Sequence, residues 1–244
     1  MKPNLTRSRF LALVAIFASL NIVCDSIAGI PQFTEGVWYS WVFMTEPVTG
    51  LVLPPSAAFL STLVGVMAGH SIYPRGSYEF FFMIGAPVGS LISSLLSRGR
   101  RRVVLVYFAA LLLAYFAAPI SWQLPLWGMW DTYLAFAGLL IADSAFFRNR
   151  NMKALPLDLA FYAFIGLEAD ILFRIFLFVP CQTYRLLSYT AEDLQFIWIA
   201  GAVITPVQVA ISAIFTATIG APLMKIVEKT GLTKWELRQQ DPKP

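Results

Sequence analysis

An apolar stretch from Thr45 to His70, TEPVTGLVLPPSAAFLSTLVGVMAGH, is interrupted by Pro54 and Pro55. Two consecutive prolines remove two backbone donors, and the residue before each is pushed out of helical geometry. The stretch therefore reads as the end of one short helix, a tight turn and a second helix. Gly65 and Gly69 follow at four-residue spacing and give the second helix a small face, on which another helix packs closely in lipid. How this hairpin crosses a membrane fixes the side on which every later loop lies.

A membrane setting follows from composition. Of the 244 residues, 58% are hydrophobic and only 13% charged, with mean hydropathy +0.68, whereas soluble domains run near a quarter charged. Several apolar runs of about 17–24 residues match the length a helix needs to cross the hydrocarbon core. No series of short alternating segments suggests a β-barrel. The expected class is an all-α integral membrane protein, a polytopic helical bundle in the cell membrane. The net charge of +4 does not imply nucleic acid here, because the basic residues sit in short loops where they set orientation.

The predicted spans are about 9–30, 37–53, 55–72, 79–97, 102–120, 131–147, 157–180 and 195–227. All Lys and Arg except Arg75, Arg174 and Arg185 fall in the N-terminal segment, in 98–102, in 148–153 or after Met224. About eight spans put all four regions on one side, which the positive-inside rule makes the cytoplasm. Seven spans, with 45–70 as one helix, would separate the 98–102 cluster from the N-terminus. Both termini and the Pro54-Pro55 turn are therefore expected to be cytoplasmic, and the whole chain reads as a single membrane domain. The basic N-terminus and the following apolar run resemble a secretory leader, but the small residues along that run suit a retained packing helix.

The opposite side is rich in tryptophan: Trp38, Trp41, Trp122, Trp127 and Trp130 lie at or near its loops, and Trp198 opens the last span. They read either as an interfacial belt or as an aromatic lid over an outward pocket. No G-x-x-x-x-G-K-[ST], H-E-x-x-H or G-x-S-x-G occurs, and His70 is the single imidazole, so neither ATP hydrolysis nor another enzymatic activity is expected. Cys24 and Cys181 lack metal-ligand spacing. Buried free thiols are expected, with a disulfide as the alternative, and no metal or cofactor is implied.

Ionisable groups at membrane depth carry an insertion cost of about 2.5–3.5 kcal/mol at the helix centre. Asn21 and Asp25 share one face of the first helix. Glu46 lies mid-span beside Pro47. Asp170 and Arg174, at i,i+4, can neutralise each other, which leaves Glu168 as the unpaired acid of the same helix. Gln208 follows Pro206, where a kink frees a carbonyl and can open a small polar site. His70 reads as an interfacial anchor or as a ligand contact. Small-residue ladders, among them Ala15 with Ser19 and Gly85 with Gly89, mark helix contacts.

Certain stretches together resemble the substrate-binding S components of energy-coupling factor transporters. These are LALVAIFASLNIVCD, the Trp-containing outer loop, GLVLPPSAAFLSTLVGVMAGH, FFFMIGAPVGSLISSLLSRGRRR and ITPVQVAISAIFTATIGAPLMKIVEK. The resemblance covers about 9–97 and 157–228. It implies a subunit that captures a vitamin or other small-molecule nutrient outside, in partnership with a transmembrane coupling protein and two ATP-hydrolysing ABC subunits. In that family an alanine pair four apart in the first helix contacts the coupling protein, and the nearest match here is Ala15 with Ser19. The family core has six helices, so the span pair at about 102–147 reads as an added hairpin.

The expected pocket lies at the outer ends of helices one, two, three and seven, lined by Asn21, Asp25, Trp38, Trp41, Glu46 and Glu168, with His70 and Gln208 as further contacts. Acids outnumber unpaired bases there, which favours a neutral or cationic ligand. Two other readings stay open at this point. One is a proton-coupled secondary carrier using Asp25, Glu46 or Glu168. The other is a non-catalytic scaffold subunit whose small-residue ladders matter and whose acids do not.

Overall fold

A computed structural model describes residues 7–27, 40–74, 77–143 and 155–229. Among these residues every extended element is a helix: α1 (Arg7–Ser26), α2 (Val42–Val52), α3 (Pro55–Ile72), α4 (Ser77–Phe82), α5 (Gly85–Ser97), α6 (Arg101–Ala117), α7 (Trp130–Asp143), α8 (Leu155–Phe178), α9 (Thr183–Leu186), α10 (Ala191–Phe215) and α11 (Ala221–Lys229). Two short 3-10 turns lie between α6 and α7, and a π-helical turn, Thr216–Gly220, joins α10 to α11. Three stretches are long and apolar enough to cross a membrane: Pro55–Ile72, Glu79–Ser97 and Ala191–Ile226. Large apolar side chains such as Leu113, Val203 and Ile214 face outward, as a bundle in lipid requires.

α5 is the central helix, packed on α2, α3, α6 and α8. A Cβ at Gly89 would collide with the Glu46 carboxylate and lie 2.8 Å from the Gly166 carbonyl, so the absence of a side chain sets the spacing of α2, α5 and α8. Gly65 and Gly69 do the same for α1, whose Asn21 and Asp25 occupy the space a Cβ would need. The largest apolar cluster joins Ile92 and Leu96 of α5 to Phe108 and Tyr115 of α6, Leu139 of α7 and Ile165 and Leu172 of α8. The α6–α7 pair, expected as an addition, thus belongs to the same packed interior as α5 and α8.

The double proline does reverse the chain. α2 ends at Val52 and α3 begins at Pro55, with Leu53 extended (φ −94°, ψ 150°). Pro54 has no N–H to give the carbonyl of Gly50, and Arg98 Nη1 donates there instead (3.3 Å). Ser94 Oγ donates to the Leu53 carbonyl (2.7 Å). Two further prolines are answered in the same way. Pro47 frees the carbonyl of Phe43, which accepts from Ser212 Oγ of α10 (2.7 Å). Pro206 frees that of Ala202, which accepts from Trp130 Nε1 at the start of α7 (3.0 Å). These three carbonyls, left unbonded by proline, become ties between helices, because a buried acceptor without a donor is costly.

These ties define two ends. Ser61 meets Val14, and His70 meets Asp25, so α1 and α3 run parallel. Ser94 and Arg98 hold the proline turn, and Arg101 Nη1 donates to the carbonyl of Ala142 (2.6 Å). The start of α1, the proline turn and the start of α11 share one apolar cluster through Phe10, Leu53 and Leu223. The Arg98–Arg102 cluster therefore lies at the same end as the proline turn and the start of α11. The ends of α1 and α3, the start of α4, the 3-10 turns and the start of α10 lie at the other.

Candidate functional site

A cavity of about 170 Å³ opens between the helices in the half of the bundle away from Arg98. Its apolar wall includes Phe43, Val66, Met83, Leu167, Phe178 and Trp198; its polar groups include Asp25, His70, Glu79, Asp131, Asp170 and Arg174. Small residues make room for the charged ones. A Cβ at Gly85 would collide with Asp170 and lie 2.8 Å from Arg174 Nε.

One chain of charged groups crosses the cavity from α1 to α8. Asp25 Oδ2 lies 2.7 Å from His70 Nδ1, and the Val66 carbonyl lies 2.8 Å from the same nitrogen. Both neighbours are acceptors, so Nδ1 carries the proton and Nε2 turns to the other side. There Glu79 Oε2 is 3.8 Å from His70 Nε2 and also 3.8 Å from Arg174 Nη1. Arg174 binds Asp170 with two parallel donors, Nε to Oδ1 at 2.6 Å and Nη2 to Oδ2 at 3.1 Å, the fork geometry of a strong guanidinium–carboxylate pair. The i,i+4 pairing expected for Asp170 and Arg174 is formed, and it lines the cavity.

A second polar group sits on α7 and α10. Asp131 occupies the first turn of α7. Its Oδ1 accepts the Thr132 N–H (3.0 Å), and its Oδ2 lies 2.8 Å from the Thr205 hydroxyl. Thr132 Oγ1 donates to Glu168 Oε2 (2.8 Å). Gln208 and Thr205 reach the cavity from α10 near Pro206, where a polar opening was expected.

Of the expected contacts, Asp25, His70 and Gln208 line the cavity. Asn21, Trp41, Glu46 and Glu168 do not, although the sequence placed them there. Asn21 is fully buried as a hub between three helices: it accepts from Thr45 (2.7 Å) and donates toward Thr49 and Thr62 (3.4 Å each). Trp41 stacks on Phe43 at 5.9 Å. Glu46 is fully buried against Gly89, and both its carboxylate oxygens lack a hydrogen-bond partner among the described residues. Glu168 lies behind Thr132. Trp38 lies outside the described residues.

The tryptophans divide as well. Trp122, Trp127 and Trp130 are exposed, whereas Trp198 is buried and lines the cavity. Three of the tryptophans thus stand exposed, and one forms wall. Cys24 and Cys181 are free, Cys24 half-buried and Cys181 exposed, so the burial expected for Cys181 does not hold. Among the described residues no group of three or more His, Cys, Asp and Glu has metal-binding geometry.

Sequence reasoning passed over Glu79 and Asp131. Glu79 is not among the expected contacts, yet it is 4% exposed and lines the cavity. Asp131, also absent from the expected contacts, is 3% exposed and directly follows Trp130. The available signal was an acid at the first turn of an apolar helix, which needs a reason at membrane depth.

Comparison with protein-family models, curated proteins and solved structures finds no match.

Proposed function

We propose that this chain is the membrane-embedded capture subunit of an energy-coupling-factor type importer, which takes a vitamin or other small nutrient from outside. The observation that carries the reading is the position of the cavity. It lies in the half of the bundle away from the Arg98–Arg102 cluster, and that cluster belongs on the cytoplasmic side. A cavity of apolar and aromatic walls with a few convergent polar groups is the form small-molecule sites take. On this reading about eight helices cross the membrane, both termini are cytoplasmic, and the cavity opens outward.

A chain without a nucleotide-binding motif needs coupling subunits to drive uptake. Ala15 and Ser19 are exposed on α1, among exposed Leu11, Ile16, Leu20 and Val23. Ser19 Oγ bonds back to the Ala15 carbonyl (2.9 Å), so this face presents small apolar contours, suited to close docking of a transmembrane helix. It is the surface assigned to the coupling protein.

The secondary-carrier reading is favoured by one observation, the buried Glu46 with two carboxylate oxygens lacking a hydrogen-bond partner among the described residues. Intramembrane acids of this kind serve proton relays. One experiment separates the two. The detergent-purified protein is analysed by mass spectrometry for retained small molecules, alongside Thr205→Phe, which fills the cavity. The same preparation is reconstituted alone in liposomes under a proton gradient. Capture predicts a retained compound that Thr205→Phe loses, with no accumulation by the protein alone. Accumulation that Glu46→Gln abolishes would replace the capture reading with the carrier.

A further inference from the structure

We propose that the molecule held in this cavity is an organic cation with an apolar body, and that Asp131 is the carboxylate that binds its charge; the inference rests on the capture reading. The two acid groups in and behind the cavity wall differ in one respect. In the first, each acid has a basic neighbour: Asp25 meets His70, Asp170 meets Arg174, and Glu79 lies 3.8 Å from both His70 and Arg174. In the second there is no base. Asp131 is met by the Thr132 N–H and the Thr205 hydroxyl, and Glu168 by the Thr132 hydroxyl alone. Among the described residues neither forms an ion pair with Lys, Arg or His.

Glu168 supplies an independent observation. It is fully buried, and its Oε1 has no hydrogen-bond partner among the described residues. Thr132 bonds both acids, so two carboxylates flank one residue of the wall. Carboxylates removed from water without a counter-charge are costly, and hydroxyl donors recover only part of that cost. The position of Asp131 in the first turn of α7 offsets a further part through the helix dipole. A cation in the cavity supplies the rest. An anion would meet the Asp131 carboxylate in the cavity wall, and a neutral molecule would leave its charge uncompensated.

Aromatic side chains of the same cavity suit the body of such a ligand. Phe178 and Trp198 both line the cavity and lie nearly parallel, 6.4 Å apart at 12°. Aromatic side chains in a cavity wall pack well on the apolar substituents of such a ligand. Asp131, Thr132, Gly128 and Met129 all come from α7 and the turn before it, so the α6–α7 hairpin is the element that sets the charge preference of the site.

The test uses three probes of one size and three charges at millimolar concentration: 2-phenylethylammonium, 2-phenylethanol and 3-phenylpropanoate. Thermal unfolding of the full-length protein in detergent is followed as each is titrated. The cation alone should raise the unfolding temperature saturably. Asp131→Asn, which keeps side-chain volume and an oxygen facing Thr205, should weaken the apparent affinity more than about thirtyfold, as loss of a buried charge partner does. Unfolding without probe reports whether the variant folds. If it does not, Glu168→Gln is the second variant, and a several-fold loss is expected there.

Stabilisation by the alcohol or the carboxylate at least equal to that by the cation would overturn the charge class and leave the capture reading standing. So would a neutral or anionic compound retained by the purified protein. No response to any probe would also overturn the proposal, as would a cation response unchanged in both variants. A cation response that survives Thr205→Phe would place the binding outside the cavity and count against both readings.

Discussion

At the scale of single residues, the bundle is held by side chains that answer groups left unbonded by proline. Ser94 supports one of these ties, at the turn that follows Gly50. It is fully buried, donates to the Leu53 carbonyl and accepts from Arg98 Nη1, both at 2.7 Å. Ser94→Ala leaves a buried carbonyl without its donor, and one such group costs about 1–3 kcal/mol. The expected outcome is a loss of that size in thermal or chemical unfolding in detergent, with ligand retention intact because the turn lies at the other end from the cavity. A variant as stable as the parent would show that the turn is held by something else. Polar residues of this kind were hard to assign from sequence. Asn21 and Glu168 were visible as polar residues in apolar helices, but which of them faces a cavity and which a hydroxyl on a neighbour depends on helix rotation. Nothing in the local chain encodes that rotation tightly.

At the scale of elements, the helices were legible because their causes are local. Apolar runs, the double proline and basic breaks each act within a few residues, and α2, α3 and α5 fall inside the expected spans. What the chain did not reveal was which small residues matter. Gly89 and Gly201 both interrupt apolar helices, yet a Cβ at Gly89 meets the Glu46 carboxylate and the Gly166 carbonyl, whereas one at Gly201 meets nothing within 4 Å. Gly89→Ala should therefore destabilise by about 1–3 kcal/mol through overpacking. Gly201→Ala should be neutral or gain up to about 1 kcal/mol from helix propensity. Unfolding of the two variants side by side checks the contrast, and equal effects would contradict the packing described for α2, α5 and α8. The hairpin of α6 and α7 was the harder element to place. Its apolar sequence says that it packs, and only the fold shows that it brings Asp131 and Thr132 to the cavity wall.

At the scale of the whole molecule, everything rests on two ends with different chemistry. The end that carries Arg98–Arg102 also holds the proline turn and the start of α11, and the cavity lies in the other half. Capture from outside requires the arginine end to face the cytoplasm. Two positions report on this directly. Cys181 is exposed beyond α8 at the cavity end, and Ser56 is exposed beside the proline turn. Intact cells carrying the protein with Cys24→Ala are treated with a membrane-impermeant maleimide, in parallel with a Cys24→Ala, Cys181→Ala, Ser56→Cys variant. Labelling of Cys181 in intact cells, and of Ser56→Cys only after the membrane is permeabilised, is the predicted result. The reverse pattern would turn the cavity toward the cytoplasm and contradict the account.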